Sequence, residues 1–150
     1  MRRHLAVLAI CALLAVSLLS GVSADEPVVR DEAVLARQAT MKSAKAALAV
    51  LGEMSALRRH FDRAAARAAR TRLLEALSDL PDRFEQPHSD RHTRARPEIW
   101  ENWPAFLRSA EAARQAARGL RTNNLPALRR SLPAVMSACL ACHSRYRTGQ

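Results

Sequence analysis

The chain has 150 residues, 25% of them charged and 49% hydrophobic, with 24 Lys and Arg against 14 Asp and Glu. That length bounds it to one small domain and excludes a large multidomain enzyme. Aromatic residues make up only 4%, too little to fill a β-sandwich or barrel, and the apolar content is too high for intrinsic disorder.

The first segment reads as an export signal. Met1-Arg2-Arg3-His4 is a short basic start, residues 5–19 form an apolar run broken only by Ser17, and Gly21-Val22-Ser23-Ala24 precedes the acidic pair Asp25-Glu26. Small residues at Val22 and Ala24 predict cleavage after Ala24. The run is shorter than the ~20 residues of a membrane-spanning helix, and no Cys follows it to carry a lipid. The expected organisation is a signal peptide over 1–24 and one domain over 25–150. Removing 24 residues from 150 leaves 126, with a net charge of +8 and only Cys139 and Cys142 as cysteines. A disulfide between residues three apart closes a loop too short to stabilise a fold, so that pair calls for a chemical explanation.

Helical punctuation divides the rest into four long segments. The first spans about residues 27–60, with Val34, Leu35, Met41, Ala44, Leu48, Leu51 and Met54 at helical spacing. The second spans about 62–80, with Asp62 as N-cap, Leu73, Leu74, Leu77 and Leu80 as its stripe, and Pro81 as its end. Residues 81–97, with three prolines and many charges, read as the one long loop. The third helix starts at Asn102 with Pro104 in its first turn. It carries Phe106, Leu107, Ala110, Ala113, Ala117 and Leu120, and closes near Gly119. The fourth starts at Asn124 with Pro126 in its first turn and runs through an internal Pro133, which should kink it rather than end it. Its stripe is Leu128, Leu132, Val135, Met136, Cys139, Cys142, His143 and Tyr146. Four amphipathic helices of comparable length predict an all-α, antiparallel four-helix bundle. Trp100 and Trp103 flank the start of the third helix and are expected to seal the loop against the bundle end.

The chemistry lies near the end of the fourth helix. Cys139-Leu140-Ala141-Cys142-His143 is a C-x-x-C-H pentapeptide, which in an exported protein reads first as covalent attachment of haem c. Positions i, i+3 and i+4 share one helix face. Two thiols there can add to the two vinyl groups of one porphyrin, and the adjacent imidazole can reach the iron. A dithiol redox motif belongs instead at the start of a helix after a strand. A zinc site needs about four ligands, and only three candidates cluster here. His60, His88 and His92 read as surface residues.

Three segments resemble the cytochrome c′ family. They are Arg37-Gln38-Ala39-Thr40-Met41-Lys42, Pro97-Glu98-Ile99-Trp100, and Cys139-x-x-Cys142-His143-x-x-Tyr146-Arg147. The resemblance covers about residues 28–147. It implies one covalent haem c whose thioethers come from Cys139 and Cys142, with His143 as proximal iron ligand. It places Arg37 and Gln38 near the haem and Arg147 beside the proximal histidine, where a cation would raise the reduction potential. Arg147 can equally complete the helix dipole. Met41 falls where the family places its distal residue. In one branch a helix-one methionine is the sixth ligand, which suits electron transfer. In the high-spin branch the iron is five-coordinate and binds nitric oxide or carbon monoxide. Met41 as plain core filler is the competing reading.

The expected function is periplasmic one-electron transfer by a carrier, not an enzyme, since no paired carboxylates or nucleophile–base arrangement are present. No Asp or Glu follows Glu111, and seven Arg occur between residues 112 and 150. That charge suits an acidic redox partner protein. Nucleic acid is not expected for an exported chain without a recognition motif. An anionic membrane surface and a homodimer through the first two helices remain open partners.

Overall fold

The computed structural model describes residues 29–149. The expected signal peptide and its cleavage site lie outside the described residues. Among the described residues six helices follow one another: α1 Glu32–Ser55, α2 Arg63–Ser78, α3 Leu80–Phe84, α4 Glu98–Glu101, α5 Trp103–Arg118 and α6 Leu125–Tyr146.

Side-chain caps fix the starts of the four long helices. Asp31 accepts the Val34 N–H at 3.0 Å, Asp62 that of Ala65 at 2.6 Å, Asn102 that of Ala105 at 3.2 Å and Asn124 that of Ala127 at 2.9 Å. Each satisfies a donor that the first helical turn leaves free. The cap at Asp31 places the start of α1 at Glu32, because residues 29–31 are not helical. The other end falls at Ser55, short of His60. Leu57 takes φ 59, and the N–H groups of residues 56–59 fold back onto the carbonyls of Gly52, Glu53 and Met54. A left-handed residue stops α-helical propagation.

Pro81 does not end the second helix. α2 stops at Ser78, and Pro81 lies in the first turn of α3, where its missing N–H costs nothing. The long loop is thus residues 85–97, and it runs into the single turn of α4. Pro133 stands on the exposed side of an unbroken α6.

The long helices form a ring in which α1 packs on α2, α2 on α5, α5 on α6 and α6 on α1. One end brings together the N-terminal halves of α1 and α5 with the C-terminal ends of α2 and α6, so neighbours run antiparallel. This is the expected four-helix bundle. Leu51, Met54, Leu73, Leu128 and Val135 are fully buried, and Ala47, Ala66, Ala69 and Ala117 let the helices approach closely. Two expected core positions face solvent instead: Leu35 is 45% exposed and Met136 43%. Each is one residue, or 100°, round from a buried Val, namely Val34 and Val135.

Both tryptophans seal the bundle end. Trp100 donates its indole N–H to the Phe84 carbonyl at 2.8 Å, and Trp103 stacks on Phe106 with centroids 5.2 Å apart.

Candidate functional site

At the end where the loop covers the bundle, α6 turns Cys139, Cys142 and His143 inward, all three half-buried. They line a cavity of about 410 Å³, within the ~300–1,000 Å³ usual for small-molecule sites. α1 contributes Arg37, Gln38 and Met41 to the same cavity, and Arg147 follows from the end of α6. All seven residues singled out in the sequence therefore meet in one place. Leu77, Leu80, Phe84, Ile99 and Phe106 make the remaining lining largely apolar. A wider, shallower recess on the outer side of α6 carries no thiol or imidazole, so the chemistry belongs to the smaller cavity.

The thiols and the imidazole are held in neutral forms. Burial pushes the Cys139 thiol up, and burial with the neighbouring Cys139 pushes Cys142 up to about 11. Burial also lowers His143, and the cations of Arg147 and Arg94 lower it further. A neutral imidazole offers a free nitrogen lone pair.

Arg94 is a cavity residue that sequence reading missed. It lies in the long loop and reaches the site through tertiary pairing. Ala95 forms an isolated antiparallel bridge with Arg147. Arg96 N–H donates to the Tyr146 carbonyl at 3.0 Å, Thr148 N–H to the Arg94 carbonyl at 2.9 Å, and Arg94 Nε–H to the Thr148 carbonyl at 3.0 Å. This clasp ties the loop to the end of α6. No local pattern in residues 85–97 announces it.

Arg37 is 4% exposed and has a second task. Its guanidinium donates to the carbonyls of Arg83 at 2.8 Å, His88 at 3.1 Å and Gln86, and lies about 5 Å from the ring centroids of both Phe84 and Trp100. Gln38 donates to the His92 carbonyl at 3.4 Å. Both α1 residues thus brace the loop over the cavity. His60 and His88 are exposed, and His88 pairs with Asp31 at 3.1 Å.

A family model described as Cytochrome C' matches residues 32–147. The chain belongs to the cytochrome c′ family. A curated relative, cytochrome c-556 of Agrobacterium tumefaciens (strain II Chrys), is 31% identical over 116 residues, covering 74% of this chain and 93% of that protein. Among solved structures, cytochrome c' from Rhodobacter Spheriodes superposes with a TM-score of 0.73 at 21% identity, covering 79% of this chain and 97% of its own. Oxidized cytochrome c556 of R.palustris gives 0.71 at 24% identity, covering 81% and 99%. These two share the fold.

Members of the cytochrome c′ family carry covalent haem c, and the cavity fits that group. Two unpaired thiols and a neutral imidazole lie on one helix face beside an apolar chamber. The Tyr146 hydroxyl, at the cavity, is buried without a hydrogen-bond partner among the described residues. The competing readings fit less well. The two thiols lie near the end of α6 rather than at a helix start, where a dithiol exchange motif belongs, and a zinc site needs about four ligands. Among the described residues no three His, Cys, Asp or Glu side chains gather into a metal-binding group.

Proposed function

We propose that this cytochrome c′-family chain is a periplasmic electron carrier for one haem c, which Cys139 and Cys142 would hold through thioethers and whose iron His143 and Met41 would ligate. The observation that carries the reading is that a thioether from α1 and a neutral imidazole from α6 line the same cavity as the two thiols. The relationship to a cytochrome c-556 supports it. When bound, the haem supplies a one-electron couple at its iron.

The chain's own residues do the rest. Cys139 and Cys142 hold the group covalently, so a small core with a large chamber keeps it. His143 and Met41 supply one nitrogen and one sulfur donor, a pair that raises the reduction potential. The fixed cations of Arg94 and Arg147 oppose further positive charge beside His143 and act in the same direction. No helix among the described residues is long and apolar enough to cross a membrane.

Absorption spectra of oxidised and reduced holoprotein, wild type and Met41→Ala, test the ligand set. The expected wild type is low-spin, and Met41→Ala turns high-spin and binds carbon monoxide and nitric oxide. A high-spin wild type, unchanged by Met41→Ala, overturns the carrier reading in favour of a five-coordinate gas-binding protein. A pyridine haemochrome assay on the wild type and on Cys139→Ala/Cys142→Ala tests the attachment. Covalent haem is expected in the first and none in the second.

A further inference from the structure

The end of the bundle away from the cavity carries a feature that haem binding does not use. Two helix hairpins close there, the turn from α1 to α2 and the connection from α5 to α6. Leu57 sits in the first with φ 59 and is 67% exposed. Left-handed backbone is costly for a residue with a Cβ and suits Gly or Asn. The N–H groups of Leu57, Arg58 and Arg59 donate to the carbonyls of Met54, Glu53 and Glu53 at 3.2, 2.9 and 3.2 Å and lock the turn. An apolar side chain is thus held out in water, at a conformational cost, where packing gains nothing from it.

The surroundings of Leu57 are cationic. Arg58 and Arg63 on the first hairpin, and Arg118, Arg121, Arg129 and Arg130 on the second, are exposed and form no ion pair among the described residues. Two bonds tie the hairpins together. Arg129 Nε–H donates to the Ser55 carbonyl at 2.8 Å, and an Arg70 Nη2–H to the Arg118 carbonyl at 2.7 Å. Within residues 53–63 and 118–130 the acids are Glu53, paired with Arg59 at 3.1 Å, and Asp62, whose carboxylate caps α2. This end therefore presents an excess of fixed positive charge around one protruding leucine.

We propose that this end is the docking surface for an anionic phospholipid bilayer, with the arginines at the headgroup phosphates and Leu57 in the boundary between headgroups and acyl chains. Charge and position select this occupant. A second copy would set the same arginines against one another in an isologous contact, where they repel. From Leu125, at the start of α6, Cys139 and His143 are 14 and 18 residues along the helix, ~21–27 Å at 1.5 Å per residue. Electron transfer falls exponentially with distance, so a redox protein seated here would be remote from those donors; only this step draws on the haem-carrier reading. A soluble polyanion would engage the arginines and leave Leu57 in water, whereas a bilayer offers an anionic layer with an apolar one beneath it. Docked this way, the cavity end points away from the bilayer and stays open to a redox partner.

The test is co-sedimentation of holoprotein with vesicles of mixed phosphatidylglycerol and phosphatidylcholine, and with vesicles of phosphatidylcholine alone. Three variants are compared with wild type. They are Arg58→Glu/Arg63→Glu; Leu57→Gly, which suits the left-handed turn; and Arg91→Glu/Arg108→Glu, a charge-matched control on exposed positions toward the cavity end. Wild type is expected to bind the anionic vesicles and not the neutral ones. Arg58→Glu/Arg63→Glu should weaken that binding at least about tenfold at low salt, with the gap closing as salt rises. Leu57→Gly should weaken it several-fold with an unchanged salt slope, and the control by less than about twofold. Wild type that ignores anionic vesicles, or equal losses from both charge reversals, overturns the proposal. Leu57→Gly that binds as wild type also overturns it, in favour of a soluble polyanion. So does a dimer in sedimentation equilibrium that Leu57→Gly abolishes, in favour of a second copy. Covalent haem content and dithionite-reduced spectra of every variant separate the two readings. Absent haem defeats the carrier and leaves vesicle binding standing, whereas normal haem with insensitive vesicle binding defeats only the docking surface.

Discussion

The two ends of the bundle use the same four helices in opposite ways. Toward the end formed by the C-terminal half of α1 and the N-terminal half of α6, Leu51, Met54 and Leu128 are fully buried in one core cluster with Ala66 and Ala69 of α2, and Leu73 and Val135 continue that cluster through the middle of the bundle. At the other end the helices surround a chamber. Its cover is the loop over 85–97, braced by Arg37 from beneath and by the clasp to residues 146–148 from the side. Burial of a close-packed apolar interior stabilises the first end without help. The second leaves a space that the protein's own side chains do not fill, and its stability is coupled to what occupies it. One bundle thus divides into a scaffold end and a site end.

Substitutions can sharpen that division. The largest effect on stability is expected at the scaffold end. Leu51→Ala removes a fully buried side chain and should cost about 2–5 kcal/mol. Chemical denaturation of the holoprotein measures it, and the haem absorption spectrum should stay unchanged. A spectral change of the size caused by Met41→Ala would show that the two ends are not separable.

Arg37→Ala acts at the other end and should cost less, about 1–3 kcal/mol, because the carbonyls it leaves can regain water once the loop moves. Hydrogen exchange should quicken over residues 85–92 while amides around Leu51 and Leu73 keep their protection. Uniform quickening would break the comparison.

The smallest effect is expected at Asp90. Its carboxylate accepts the N–H groups of His92 at 2.8 Å and Arg30 at 2.9 Å, and these bonds hold it below its ordinary value of 3.8. A folded value below the unfolded one contributes stability above the unfolded value, lost as pH falls through the folded value. Asp90→Ala should therefore lower the melting temperature slightly at pH 7. The gap to wild type should close as pH falls below about 3.8, read by thermal melts across the acid range. A gap that persists in acid would assign the loss to packing.

Much of this was legible in the chain itself. Asp62, Asn102 and Asn124 cap the helices expected from them, because a cap acts on donors only two or three residues away. The spacing of Cys139, Cys142 and His143 assigns them to one face for the same local reason. Other features were not legible. Pro81 suits a helix end and a helix start equally well, and only the packing of Leu80 and Phe84 into the core selects the start. Met136 and Leu140 have the apolar character of core residues, and only the position of α1 beside α6 leaves them outside.

What the sequence by itself determined is the C-x-x-C-H segment and the four-helix frame that carries it, since capping, periodicity and i, i+3, i+4 spacing are properties of short segments. What the tertiary structure decided is the surroundings of that segment. Met41 from α1 joins His143 from α6 at one cavity, Arg37 turns to loop carbonyls 46 to 51 residues away, and Arg94 comes to the cavity through the Ala95–Arg147 bridge. These contacts join segments far apart in the chain. Their geometry follows from how whole helices pack and where the loop can satisfy its backbone groups, which no local pattern encodes.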